Sequence, residues 1–324
     1  MKSILITGGA GFIGSHLCEE FIKQQYGVIC VDNLITGKKE NISHLLTNPN
    51  FQFINADVSH PSIIKKLSLP ITHVLHFASP AGPNPHSPKS YLKFPIETYL
   101  VNSIGTHYLL QLAQKTKAEF LFASTSEVYG NPLEHPQKET YFGNVNPLGP
   151  RACYDESKRF GEMVTLTYGQ KYQLKTKIIR IFNTYGPRMN PDDGRVIPQF
   201  IIQALYNRPI TIYGKGEQTR SFCYVNDLVN GIILISQKAK PYQVYNLGND
   251  QEINIIYLAK AVIKLTNSNS QLVFKKLPVD DPEKRKPSLE KINKELGWKP
   301  TTNLEDGLIN TINWFKQNLT KLSC

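Results

Sequence analysis

Short apolar runs alternate with amphipathic stretches through the first half of the chain. SILIT (3–7), GVICVD (27–32), FQFINAD (51–57), ITHVLHFA (71–78), EFLFAST (119–125) and KTKIIRIFN (175–183) read as six strands. Helical spacing over 13–24, and over about 61–68, 97–115 and 155–172, places helices between them. This alternation predicts an α/β fold with a parallel sheet covered on both faces. The segment PAGPNPHSPKSYLKFP (80–95) is crowded with proline and reads as a loop near a strand's C-terminal end. After residue 183 the pattern becomes irregular, with a short strand in PITIYG (209–214) and helices near 255–265 and 304–318. We therefore expect a first domain over 1–182, to which 223–245 returns, and a smaller, interleaved mixed α/β domain over 183–324.

Composition narrows the class. The 324 residues are 40% hydrophobic and 19% charged, which fits a globular chain. No apolar run reaches the ~18–20 residues needed to cross a bilayer. MKSILITGG at the N-terminus reads as a first strand rather than a signal peptide. The formal charge of +11 suits nucleic acid, a membrane surface or anionic substrates. The chain offers no basic helix, finger or aromatic stacking platform, so we expect neither a nucleic-acid nor a membrane partner. Cys18, Cys30, Cys153, Cys223 and Cys324 form no C-x-x-C pair. That predicts no disulfide framework, no metal and a reducing, cytoplasmic setting.

Gly8, Gly11 and Gly14 follow the first strand directly and open a helix, with Phe12 and Ile13 between the last two. Such a turn lets backbone approach a pyrophosphate, and the helix N-terminus offers free N–H groups to it. In this strand–turn–helix setting the glycines point to a Rossmann-type, doubly wound sheet. Asp32 closes the second strand, where a carboxylate can accept hydrogen bonds from adenosine ribose hydroxyls and repel a 2′-phosphate. NAD is thus the expected cofactor, although Lys38 and Lys39 keep NADP open. Asp57 ends the third strand, placed to meet the adenine.

Tyr154 and Lys158 form Y-x-x-x-K, with i and i+4 on one helix face. Lys158 beside the phenol is expected to lower its pKa from ~10 and make Tyr154 a general base. ASTSEVYG (123–130) ends the fifth strand, where an open α/β sheet carries its site. Thr125 or Ser126 can hydrogen-bond a reacting oxygen, and Glu127 is a candidate acid or base.

On ASTSEVYG (123–130), HPQKETYFGNVNPLGPRACYDESKR (135–159), RIFNTYGPRMNPDDGRV (180–196), YGKGEQTRSFCYVNDLVNG (213–231) and DDPEKRKPSLEK (280–291), the chain resembles the extended short-chain dehydrogenase/reductases that act on nucleotide sugars. Among them it looks most like the UDP-glucuronate decarboxylases. The resemblance implies oxidation at C4 of the sugar with Tyr154 as base, loss of carbon dioxide from the 4-keto intermediate, and return of the hydride to give UDP-xylose. It implies cofactor contacts from Asn33, Val58, Ala78 and Arg195 besides those above, and catalytic roles for Glu127 and Arg285. It places Asn183 and Arg220 at the diphosphate, and Ile197, Gln199, Phe200 and Tyr213 around the nucleoside. It also implies a homodimer through the helices near 97–115 and 155–172. Relatives that are 4,6-dehydratases usually carry Asp-Glu where Ser126-Glu127 stand, and 4-epimerases usually lack the glutamate. Two departures bear on the sugar. The 80–95 loop is about five residues longer than usual for the family, and Glu97 and Leu100 replace usual lysines, with Lys89 or Lys93 as possible substitutes. A related 4-epimerase or 4,6-dehydratase stays open as an alternative.

Overall fold

The computed structural model describes residues 2–67, 70–276 and 284–322. Ser68, Cys324 and residues 280–283 of the DDPEKRKPSLEK stretch lie outside them. Six strands form where expected: β1 (Ser3–Thr7), β2 (Gly27–Asp32), β3 (Phe51–Asn55), β4 (Ile71–His76), β5 (Glu119–Thr125) and β6 (Thr176–Ile181). A later strand, β11 (Gln243–Leu247), joins them in one parallel sheet of order β11-β6-β5-β4-β1-β2-β3. Apolar side chains leave the strands toward both faces, as burial on two sides demands. Ile4 and Ile6 pack on one side with α1 (Phe12–Lys23) and α7 (Val225–Lys238). Leu5, Phe120 and Phe122 pack on the other with α4 (Thr106–Thr116). The strand order reverses beside β1, which opens a crevice at the carboxyl ends of β1 and β4.

The expected helix at 61–68 shrinks to α2 (Ile63–Lys66). The one at 97–115 starts earlier, with Pro95 in its first turn, as α3 (Pro95–Leu100). It passes through a wide π-turn over Val101–Gly105 into α4. That turn has fixed partners. Asn102 Nδ2 donates to Ser79 Oγ and to Ser157 Oγ of α5 (Ala152–Tyr172), each at 3.1 Å. Val101 O accepts from His76 Nε2 at 3.2 Å, and His76 Nδ1 meets the Thr7 hydroxyl at 2.7 Å. Burial, then the charge on Lys158, lowers the His76 pKa to about 3, so the imidazole joins β1, β4 and the π-turn in its neutral form.

The irregular pattern after residue 183 conceals three further helices: α6 (Val196–Leu205), α7 and α9 (Glu290–Leu296). In α7 the run GIILIS is rich in β-branched residues and imitates a buried strand. Helices α8 (Ile255–Thr266) and α10 (Leu304–Leu322) stand where expected. Short strands fill the rest. β7 (Thr184–Tyr185) pairs with β10 (Cys223–Tyr224), and β8 (Ile210–Tyr213) with β13 (Leu272–Lys275). β9 (Thr219–Ser221) lies between β12 (Glu252–Asn254) and β14 (Lys284–Arg285). The last pairing sets Arg220 directly beside Arg285, 65 positions apart in sequence but neighbours in register.

Candidate active site

One cleft runs along the carboxyl ends of the central strands. Its wall holds Gly8, Gly11, Phe12, Ile13 and Gly14 after β1, Asp32 and Asn33 after β2, and Asp57 and Val58 after β3. Ala78 follows β4, Thr125, Ser126 and Glu127 end β5, Asn183 follows β6, and Tyr154, Lys158 and Arg195 close the wall. Seventeen sequence positions that were expected to form a site are thereby brought together from eight separate chain segments.

The glycine turn fits a dinucleotide. Gly8 has a φ of +70°, and a Cβ there would lie 2.7 Å from Phe77 O and Ala78 N. A Cβ on Gly14 would lie 2.1 Å from Gly8 O. Gly11 caps α1 without a side-chain hydrogen bond, so the first N–H groups of the helix remain available for phosphate. Asp32 accepts from Ala10 N at 3.0 Å and from Leu34 N at 2.8 Å, while burial works the other way and raises its pKa. Each carboxylate oxygen keeps a lone pair for a ribose hydroxyl. Asp57 is fixed by Ser59 Oγ at 2.6 Å and Asn33 Nδ2 at 3.2 Å.

The loop over 80–95 contributes in ways the sequence did not suggest. Lys89 does not approach the sugar end: its Nζ donates to Thr36 O at 3.2 Å and its charge acts on Asp32 and Lys38, at the adenosine end. Lys93 is exposed and outside the cleft wall. Tyr91, which carried no sequence signal, is buried and stacks on Tyr154 with centroids 4.8 Å apart and planes 3° from parallel. Its hydroxyl lies 3.5 Å from Glu127 Oε2.

Lys158 and Tyr154 share a helix face as expected, with Nζ 5.8 Å from the phenol ring centroid. The electrostatic expectation needs correction. The Lys158 ammonium donates to Ala123 O at 2.8 Å, which locks α5 onto β5. Burial brings its pKa down to about 7, against the pull of Glu162. Burial and the negative charge of Glu127 raise the Tyr154 pKa, opposed by a hydrogen bond with Thr125 and by Arg195. The free site thus holds a neutral phenol, and Thr125 and Arg195, rather than Lys158, favour its phenolate.

Glu127 sits among cations. It forms an ion pair with Arg151, and Arg285 Nη1 lies 3.8 Å from its Oε1. Burial would raise its pKa, but Arg151 and Arg285 overcome burial and hold the carboxyl at about 2. Glu127 is therefore ionised in the free protein, which removes it as a ready-made acid. Arg285 is buried, donates to Gly130 O at 3.2 Å, and has an Nε–H without a partner among the described residues. Arg220 and Arg285 do not line the cleft wall. Gln199 and Tyr213 also lie off that wall. The side chains of Ile197 and Phe200 are core residues, since α6 turns them inward. Sequence reasoning missed Arg151, Tyr91 and Asp155. Arg151 and Asp155 do stand inside the stretch that carries the resemblance, flanking Tyr154. Among the described residues no three metal-ligating side chains cluster, and no helix is long and apolar enough to cross a membrane.

A parallel sheet of this order, a glycine cradle at its switch point and a Tyr–Lys pair at its edge define an NAD-linked enzyme of the extended short-chain dehydrogenase/reductase type. Residues 4–248 match the model of the NAD dependent epimerase/dehydratase family, and the chain belongs to that family. A UDP-glucuronic acid decarboxylase 1 from Xenopus tropicalis is 46% identical over 318 residues, covering 98% of this chain and 73% of the relative. A namesake from Arabidopsis thaliana is 44% identical, covering 98% and 70%. Among solved structures, a UDP-glucuronic acid 4-epimerase from Bacillus cereus, in complex with UDP-glucuronic acid and NAD, superposes with a TM-score of 0.85. It is 31% identical, covering 97% of this chain and 99% of that one.

Proposed function

We propose that this protein is an NAD-dependent decarboxylase that converts UDP-glucuronate to UDP-xylose through a 4-keto intermediate. The single structural observation that carries the reading is the cationic ground around Glu127: two guanidinium groups converge on one carboxylate, and Arg220 pairs in register with one of them, Arg285. That excess of positive charge suits a substrate carrying a diphosphate and a sugar carboxylate. Identity of 44–46% to decarboxylases along 98% of the chain supports the same reading.

NAD, when bound, supplies the acceptor for the hydride of C4 and returns it at the end. Gly8, Gly11 and Gly14 would hold its pyrophosphate, with Asp32 on the ribose and Asp57 toward the adenine. Tyr154, once in the phenolate form that Thr125 and Arg195 favour, takes the proton of the C4 hydroxyl. Thr125, hydrogen-bonded to the phenol, would hold the reacting oxygen beside it. With a ketone at C4, the C6 carboxylate is β to a carbonyl, and carbon dioxide can leave into an enolate. Tyr154 and Thr125 or Ser126 donate hydrogen bonds to that oxygen as its charge develops.

Incubating purified protein with UDP-glucuronate and NAD should give UDP-pentose and carbon dioxide, read by mass spectrometry. A product of unchanged mass would instead indicate a 4-epimerase, and one lighter by water a dehydratase. We further assign a homodimer in a reducing, cytoplasmic setting. Exposed Ile96, Tyr99 and Ile104 on the α3–α4 helix and Phe160 and Met163 on α5 support a second copy on that face. Cys18, Cys30, Cys153 and Cys223 are free thiols, which suits the setting. Light scattering should report twice the chain mass. A mass of one chain at micromolar concentration overturns the dimer.

A further inference from the structure

Asp155 follows Tyr154 in the first turn of α5, yet its carboxyl is turned into the protein and is only 7% exposed. Its Oδ1 is buried and has no partner among the described residues. A hydrogen bond joins its carboxyl to that of Glu127. Two carboxyl groups in one buried site cannot both ionise at little cost, so the pair holds a proton. The arginines decide where it resides. Arg151 and Arg285 pair with Glu127, so Asp155 keeps the proton and donates to Glu127. Burial first, and the Glu127 charge next, push the Asp155 carboxyl up to about 8, opposed by Arg151 and Arg285. Tyr91, Tyr154 and Cys153 complete the titratable groups that feel it.

The chemistry asks for such a store. Here the argument rests on the decarboxylase reading. The proton that Tyr154 takes from the C4 hydroxyl returns to that oxygen when the hydride comes back. Carbon dioxide leaves without a proton, because the substrate is a carboxylate. C5 must still gain one, so each turnover consumes a proton from elsewhere. We propose that Asp155 stores this proton and passes it through Glu127 to C5 of the sugar. In the transfer the Asp155 O–H bond breaks as a Glu127 carboxylate oxygen takes the proton, and the enolate pair then forms the C5–H bond as that new Glu127 O–H bond breaks. Glu127 returns to its ionised form, and Asp155 is left as a carboxylate that takes a fresh proton from water. Glu127 touches the substrate; Asp155 acts through it.

Asp155→Asn separates proton supply from architecture. An amide keeps the shape and still donates to Glu127, but has no proton to release. We expect carbon dioxide release on the first turnover to persist. Overall turnover should fall at least ~10-fold, the low side of what general acid catalysis contributes. The enolate should take its C5 proton from water instead, and UDP-4-ketopentose should escape as a released product, read by mass spectrometry. The pH profile should lose the fall in rate that wild-type shows as Asp155 deprotonates above pH of about 8. Asp155→Glu should restore part of the turnover and suppress the ketopentose. An Asn variant with wild-type rate, profile and product overturns the relay, as does one that never releases carbon dioxide while still binding NAD. Wild-type protein that releases no carbon dioxide fails differently: it overturns the decarboxylase reading, and the relay with it.

Discussion

Tyr154→Phe should lower turnover by about 10³-fold or more while leaving NAD bound with near wild-type affinity. The phenol lines the cleft wall with Thr125 as its hydrogen-bond partner, and general base catalysis of this kind contributes ~10²–10⁴-fold. Phenylalanine keeps the ring, and with it the stacking on Tyr91 at 4.8 Å, so the fold and the cofactor cleft are spared. Only the O–H is lost. Single-turnover formation of reduced nicotinamide, followed by its absorbance, reads the step directly, and fluorescence titration reads cofactor affinity. A variant retaining more than about a tenth of wild-type turnover would remove Tyr154 from the role of base.

The second large effect is on stability. Arg180→Ala should destabilise the protein by about 3–5 kcal/mol. Arg180 of β6 grips Glu162 of α5 with two hydrogen bonds, Nε to Oε1 at 2.9 Å and Nη2 to Oε2 at 2.7 Å. Its Nη1 donates to Tyr129 Oη and Glu139 O, each at 3.0 Å, and the guanidinium lies over the Tyr129 ring. Glu162 also accepts from Ser124 Oγ at 2.6 Å. Truncating the arginine leaves a carboxylate that is hardly exposed facing the sheet without its cation. Equilibrium urea unfolding measures the loss. Adding Glu162→Gln in the same chain should recover a good part of it, because the cost comes from the uncompensated charge rather than from the missing pair. A loss under about 1 kcal/mol would mean that water reaches Glu162, contrary to its surroundings. The network also bears on the site. Glu162 is the charge that supports the Lys158 ammonium, and Arg180 holds that carboxylate in place.

The strands, the glycine cradle and the Tyr–Lys pair were legible in the sequence because each obeys a local rule. Strands buried on both faces read as apolar runs, the glycines sit between a strand and a helix, and i and i+4 share a helix face by geometry alone. Helix α7 was not legible, since its β-branched run satisfies a strand as well as a helix. The longer 80–95 loop was recognised as a loop, but its proline-rich sequence carries no period that could aim Tyr91 at Tyr154 or Lys89 at Asp32.

By itself, the sequence determined a dinucleotide-binding α/β fold, many of the residues that line the cleft at the strands' carboxyl ends, and a Tyr–Lys pair on one face of the helix that begins at Ala152. Only the tertiary structure decided the charge states. Burial, not the i+4 spacing, governs Lys158 and Tyr154. Arg151 from the helix start and Arg285 from a distant strand meet at Glu127, and that meeting leaves the proton on Asp155. A pKa depends on distance, burial and the groups that surround it in space. Residues 127, 155 and 285 acquire that relation only when β5, α5 and β14 have packed together.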